Sequence, residues 1–131
     1  MNVKLYQNLG KLFYSVASAD QKVNEAEANK LKEIIKKHWL DLDDAEDQFG
    51  SDAAYQIEIV FDKLNANDNL QYSQTFYNDF VTYKNEQPHL FTNKLNKLIM
   101  KTANEIAQSF AGKNKSELII LAKLNLELKK L

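Results

Sequence analysis

The chain has 131 residues, of which 44% are hydrophobic and 27% are charged, and its formal net charge is −1. This composition is typical of one globular domain, and no apolar run reaches the ~20 residues that span a bilayer. The chain has no cysteine, and all of its 17 basic residues are lysines, so we expect a cytoplasmic protein without disulfides, membrane insertion or sequence-specific nucleic-acid binding.

The N-terminal forty residues predict two helices. In the first, from about residue 3 to 18, one arc carries the apolar residues Leu5, Leu9, Leu12, Phe13, Val16 and Ala17. The opposite arc carries Lys4, Gln7, Lys11, Tyr14 and Ser18, which predicts an amphipathic helix. The second helix begins after Asn24, an N-cap residue whose capping box is completed by Glu27. It is predicted to end near His38 and Trp39.

The middle of the chain predicts two more helices. An acidic connector, residues 41 to 52, precedes a third helix from about Asp52, whose predicted inner face is Tyr55, Ile57, Val60, Phe61 and Leu64. Residues 65 to 69, NANDN, have the composition of a loop. Ser73 is predicted to cap a fourth helix that carries the apolar residues Phe76, Tyr77, Phe80, Val81 and Tyr83. NEQPH, with the only proline of the chain, ends that helix.

Two helices are predicted at the C-terminal end. The fifth covers about residues 92 to 111, and the sixth starts at Asn114, with Glu117 again three positions later. The sixth helix is apolar on almost all sides, which is typical of a helix buried on all sides. It therefore either runs through the middle of the bundle or packs partly on another subunit. We expect a monomer, or a weak dimer that forms through this helix.

The two ends of the chain resemble each other. When residue 4 is placed on residue 94, Asn24 and Glu27 align with Asn114 and Glu117, and the apolar positions of both halves stay in phase. We therefore predict an all-α protein in which residues 1–131 form a single domain. It is a bundle of about six helices built on a duplicated helical hairpin.

The stretch FYSVASADQKVNEAEANKLKEII resembles the first repeat of the tellurite-resistance TerB-like family, with Ala19, Asp20, Val23 and Glu27 in the matching positions. IAQSFAGKNKSELIILAKL is similar to the second repeat of that family. The resemblance implies an all-helical, duplicated, small cytoplasmic protein of the stress response without enzymatic activity. It also implies a divalent cation, Ca²⁺ or Mg²⁺, held by acids of the repeat turns, which here are Asp20, Glu27 and Glu117. The family glycine is Gln21 in this chain.

Two interpretations of the acids remain open. Turn formation and helix capping alone explain Asp20 and Glu27, or the two residues cap and also belong to a divalent-metal site. In the second repeat, Phe110 stands where the family pattern has its second aspartate. The connector is a solvated segment or a surface that contacts a protein partner; its acids are Asp41, Asp43, Asp44, Glu46 and Asp47. We find no catalytic constellation. The function we expect is a non-enzymatic protein-interaction module, with divalent-metal binding as the alternative.

Overall fold

The computed structural model of the protein describes residues 3–20, 22–40, 52–67, 69, 72–109 and 115–130. These residues form an all-α bundle of six helices and contain no strand, which confirms the predicted fold class. The helices are α1 (Val3–Ala17), α2 (Glu25–Ile34), α3 (Gln56–Ala66), α4 (Ser73–Glu86), α5 (Asn93–Gln108) and α6 (Lys115–Leu128). Short 3₁₀ turns at Ala53–Tyr55 and Pro88–Leu90 precede α3 and α5.

Helix α1 lies at the centre of the bundle and contacts α3, α4, α5 and α6. The predicted polar arc of α1 is therefore wrong in its C-terminal half, because the side chains of Tyr14 and Ser18 are completely buried. The ring of Tyr14 packs edge-on against Phe61 and Phe76, with ring centroids 5.6 and 5.8 Å apart. Tyrosine tolerates such burial because most of its surface is an aromatic ring.

A π-helical turn, Ile35–Trp39, follows α2 directly, so the helical segment ends near Trp39 as the sequence predicts. The wider turn places the Trp39 ring in the core, edge-on against Tyr6 and Phe13 at centroid distances of 6.4 and 6.1 Å. The Trp39 Nε1–H donates a hydrogen bond to Thr102 Oγ1 on α5, over 3.0 Å. This buried contact fixes the end of α2 against α5.

The prediction that α6 runs through the middle of the bundle is wrong. Helix α6 packs against α5 and α1 through a buried face that contains Ile120, Leu121, Leu124 and Leu128. Its opposite face leaves Leu118, Ile119 and Leu126 between 49% and 67% exposed. The sequence pattern could not separate these faces, since apolar residues occupy both. α6 is therefore a helix on the outside of the bundle.

The predicted cap of α4 is also wrong. The residue before α4 is Tyr72, whose side chain makes no capping hydrogen bond, and Ser73 is already the first helical residue. The Ser73 hydroxyl instead donates to the backbone oxygen of Ser15, over 2.9 Å. Ser73 thus connects the start of α4 to the last turn of α1.

Candidate functional site

The capping box that the sequence predicts at the start of α2 is present. The Glu27 N–H donates to Asn24 Oδ1 over 3.0 Å, and the Asn24 N–H donates to Glu27 Oε1 over 3.2 Å. Because these two bonds hold both side chains in place, they also fix the position of the Glu27 carboxyl group. Asn114, the aligned residue before α6, lies outside the described residues.

The carboxyl group of Glu27 meets that of Glu117, which belongs to the first turn of α6. Both residues are 4% exposed. Glu27 and Glu117 are also the two glutamates that align when the N-terminal sequence is compared with the C-terminal sequence. The fold brings them together in the core. Two carboxylates seldom share a buried site unless a proton or a cation joins them.

The environment of Glu27 favours its protonated form. Burial is the largest influence and raises the pKa of Glu27 to about 8, and a hydrogen bond with Glu117 and the charges of Glu117 and Asp20 contribute to that rise. The Asn24 N–H acts in the opposite direction and lowers the pKa. The charged side chains that act on the pKa of Glu27 are both acidic, namely Glu117 and Asp20.

Asp20 lies close enough to influence Glu27, but its side chain is used in the turn that follows α1. Its Oδ1 accepts a hydrogen bond from the Lys22 N–H over 3.1 Å. Across the described ranges, no three His, Asp or Glu side chains are grouped so that they could hold a metal ion. The pair of Glu27 and Glu117 is therefore closer to a two-carboxylate site than to the three-carboxylate site that the resemblance to the TerB-like family implies.

The predicted partner-binding acids of the connector are not among the described residues. Asp41, Asp43, Asp44, Glu46 and Asp47, which were predicted to contact a partner, lie outside the described residues. Phe110, the residue that replaces the second aspartate, also lies outside them. Glu25, in the first turn of α2, is exposed to solvent.

The sequence interpretation missed a second buried pair, formed by Lys84 of α4 and Glu127 of α6. Their side chains are 8% and 9% exposed, and Lys84 Nζ lies 3.4 Å from Glu127 Oε2. A signal existed: Lys84 follows Tyr77 and Phe80 at helical spacing, and Glu127 follows Leu124. Each charged residue interrupts the buried face of its own helix, and such interruptions indicate an ion pair between helices.

Pairs of carboxylates have a limited chemistry when they are buried. They share a proton, or they bind a hard cation through their oxygen atoms, because ionised carboxylates only accept hydrogen bonds. The donor set of Glu27 and Glu117 fits a cation such as Ca²⁺ or Mg²⁺, although it supplies only part of the six or more oxygens that Ca²⁺ takes. Backbone oxygens and water would have to complete the coordination.

Comparisons of the chain with protein-family profiles, with curated proteins and with solved structures found no match. Within the described part of the chain, every helix is too short or too polar to cross a bilayer.

Proposed function

We propose that this protein binds a divalent cation through the carboxylates of Glu27 and Glu117, and that it has no enzymatic activity. The observation that carries the proposal is the meeting of two buried carboxyl groups from different helices, with only acidic charged side chains acting on the pKa of Glu27. A divalent cation would replace the proton that the pair holds at neutral pH and would remove the repulsion between the charges.

The helix termini support the same proposal. Glu27 and Glu117 both lie in the first turn of a helix, where the partial positive charge of the helix stabilises carboxylates. The Glu27 side chain does not have to be reordered, since the capping box already holds it. A cation at this position would join the starts of α2 and α6.

A melting experiment with Ca²⁺, Mg²⁺ and Mn²⁺ tests the proposal. If the ion binds the folded chain with a dissociation constant of about 1 mM, about 10 mM of it adds roughly 1.4 kcal/mol of stability and raises the melting temperature by several degrees. The rise is expected for the wild type and for Glu25→Gln, whose side chain is exposed, but not for Glu27→Gln. Because the ion competes with a proton, the rise is larger at about pH 8.5 than at about pH 6.

Equal responses of the wild type and Glu27→Gln would show that the ion binds elsewhere. The absence of any response at about pH 8.5, where Glu27 is largely ionised, would contradict cation binding at the pair. In that case the shared proton alone would be the reason why the two carboxyl groups can be buried together.

A second candidate function is the protein-interaction module that the sequence predicts. The observation that favours it is the row of apolar side chains on the outer face of α6, namely Leu118, Ile119 and Leu126. Exposed apolar residues along one face of a helix are typical of surfaces that bind a partner. A role in the stress response, as in the TerB-like family, belongs to this proposal and rests on the resemblance alone.

The measurement for this candidate is the molar mass in solution. If the outer face of α6 joins two copies, light scattering gives a mass that rises with concentration, and Leu118→Lys with Leu126→Lys abolishes the rise. Both residues are exposed, so these variants keep the fold, whereas Leu124→Lys would place a charge in the core. A monomeric wild type at all concentrations rules out self-association but leaves a different partner, to be tested by capture with and without the two lysine substitutions.

A further inference from the structure

A groove of about 840 Å³ lies where the C-terminal ends of α4 and α6 meet the first half of α5. Pro88, Phe91, Met100 and Leu128 form its apolar wall. The Phe91 ring is fixed by edge-on packing against Phe80 and Tyr83, with centroid distances of 5.8 and 6.4 Å. Ligand sites in proteins have volumes of roughly 300–1,000 Å³ and mostly apolar walls, so the groove has the size and lining of a small-molecule site.

The groove carries an excess of positive charge. Lys84, Lys97, Lys129 and Lys130 line it. Only Glu127 balances them in the described part of the chain, and it pairs with both Lys84 and Lys130, at 3.4 and 3.1 Å. Lys97 and Lys129 are exposed and have no acidic partner among the described residues. An anionic group would therefore find two lysines at the edge of the groove that no carboxylate of the described chain neutralises.

A buried amide completes the groove. Asn96 donates through Nδ2 to the backbone oxygens of Phe91 and Leu128, over 3.3 and 3.2 Å. These two acceptors determine which way the amide faces, because the reverse orientation would place its oxygen against two carbonyl groups. Its Oδ1 is buried and accepts no hydrogen bond from the residues described. Buried acceptors without a donor are rare in folded proteins, and this one belongs to a residue that lines the groove.

We propose that this groove binds a small organic anion that has an apolar body and one N–H or O–H donor. The anionic group lies beside Lys97 and Lys129, the apolar body packs on Phe91 and Met100, and the donor bonds to Asn96 Oδ1. Capping of helix C-termini explains Lys84, Lys129 and Lys130 without a ligand. It explains neither Lys97, which lies in the first half of α5, nor the buried oxygen of Asn96. The described lining includes neither Glu27 nor Glu117, so this site is independent of the cation proposal.

Anilinonaphthalene sulfonate is a suitable probe because it combines a sulfonate, an aromatic body and an N–H group. Its fluorescence titration against the folded protein is expected to show one site per chain. Phenylnaphthylamine has the same body and N–H group without the sulfonate, and it is expected to bind at least about ten-fold more weakly because it cannot pair with the lysines. Equal affinities for the two probes would overturn the proposed role of charge.

Three variants locate the probe. Lys97→Gln with Lys129→Gln is expected to weaken sulfonate binding by about five-fold or more. Lys94→Gln with Lys123→Gln removes the same charge from exposed lysines outside the groove, and it is expected to change the affinity by less than about two-fold. Asn125→Trp adds bulk to an exposed residue of the lining and is expected to block the probe.

The proposal is overturned if the two double variants lose equal affinity, if neither loses any, or if Asn125→Trp binds the probe as the wild type does. The dye also binds partly unfolded chains, so each variant is first shown to melt cooperatively. A thermal shift in the presence of the probe gives a second readout, because a ligand of the folded groove raises the melting temperature and a ligand of unfolded chains lowers it.

Discussion

At the scale of single residues, Glu27 determines how stability should depend on pH. Its pKa rises from the ordinary 4.5 to about 8 on folding, chiefly because the carboxyl group is buried. Between these values the folded chain holds a proton that the unfolded chain has released. Stability therefore falls as the pH rises through the window from 4.5 to about 8, and the loss is complete above it.

Substitution of Glu27 by glutamine should remove this dependence. The side-chain oxygen of the introduced glutamine can still accept the Asn24 N–H, so the capping box keeps that bond, while the buried charge is lost. In the absence of divalent ions we expect Glu27→Gln to be more stable than the wild type by on the order of 4 kcal/mol at about pH 9, and by less than about 1 kcal/mol at about pH 5. Urea unfolding at both pH values measures the difference. Glu25→Gln is the control. If Glu27→Gln and the wild type lose stability in parallel as the pH rises, the raised pKa of Glu27 is contradicted.

The bond between Trp39 and Thr102 gives a second prediction for a single residue. Thr102→Val keeps the shape of the side chain but leaves the buried Trp39 N–H without its acceptor. We expect a loss of about 1–3 kcal/mol in the free energy of unfolding, because an unsatisfied buried donor costs that much. The fluorescence of Trp39, the only tryptophan, follows the unfolding in urea. Thr82→Val on the exposed side of α4 should cost less than about 0.5 kcal/mol, and equal effects of the two variants would contradict the prediction.

At the scale of helices, α1 and α3 cross so closely at Gly10 that no side chain fits there. A Cβ atom at Gly10 would lie 2.7 Å from the Ile57 backbone oxygen and 2.8 Å from Val60 Cβ. Gly10→Ala should therefore destabilise the fold by about 1–2 kcal/mol, since overpacking costs roughly 1–3 kcal/mol and the better helix propensity of alanine returns part of that.

Chemical unfolding of Gly10→Ala, and of the same variant with Val60→Gly, checks this prediction. The second change removes the Val60 side chain and with it one of the two clashes, so it should relieve part of the overpacking, while the clash with the Ile57 oxygen remains. Val60→Gly alone is the control for the cost of the new glycine. A stabilising effect of Gly10→Ala, as at an exposed helical glycine, would show that the two helices are farther apart in solution.

Local signals explain which helices could be predicted from the sequence. The start of α2 was predicted correctly because Asn24 and Glu27 make the cap by themselves, without help from distant residues. The environment of Tyr14 and the exposed side of α6 were predicted wrongly, since both depend on which helices pack on either side. Ser73 was assigned to a cap because its residue type suits one, but its hydroxyl found an acceptor on α1 instead.

The same distinction applies to the candidate sites. The meeting of Glu27 with Glu117 was expected only through the family resemblance, because nothing in the spacing of residues ninety positions apart requires contact. The groove beside Lys97 could not be predicted from the sequence, since the ends of α4 and α6 and the first half of α5 form it together. The pair of Lys84 and Glu127 did have a signal, because each of these two charged residues interrupts the buried face of its own helix.

At the scale of the whole molecule, the ion pair of Lys84 and Glu127 joins residues 43 positions apart in the chain and connects α6 to α4. A folded domain of this size has a stability of roughly 5–15 kcal/mol, so the loss of one buried ion partner is a substantial fraction of the total. The carboxylate of Glu127 also acts on Tyr77 of α4. The pKa of Tyr77 is raised to about 12, mainly by burial and secondly by the charge of Glu127. Glu127 thus acts on residues of two different turns of α4.

Glu127→Ala should therefore destabilise the molecule by about 3 kcal/mol or more, because it leaves the ammonium group of Lys84 buried without a counter-charge. The double variant Lys84→Met with Glu127→Met should be within about 1 kcal/mol of the wild type or more stable, since two apolar side chains of similar length avoid the desolvation of both ions. Lys130→Ala, which removes the exposed partner of the same carboxylate, should cost less than about 0.5 kcal/mol. Urea unfolding of the four proteins measures these differences. If the double variant is as unstable as Glu127→Ala, the ion pair itself stabilises the bundle. The contact between α4 and α6 then depends on the attraction between the two charges, and apolar side chains cannot replace it.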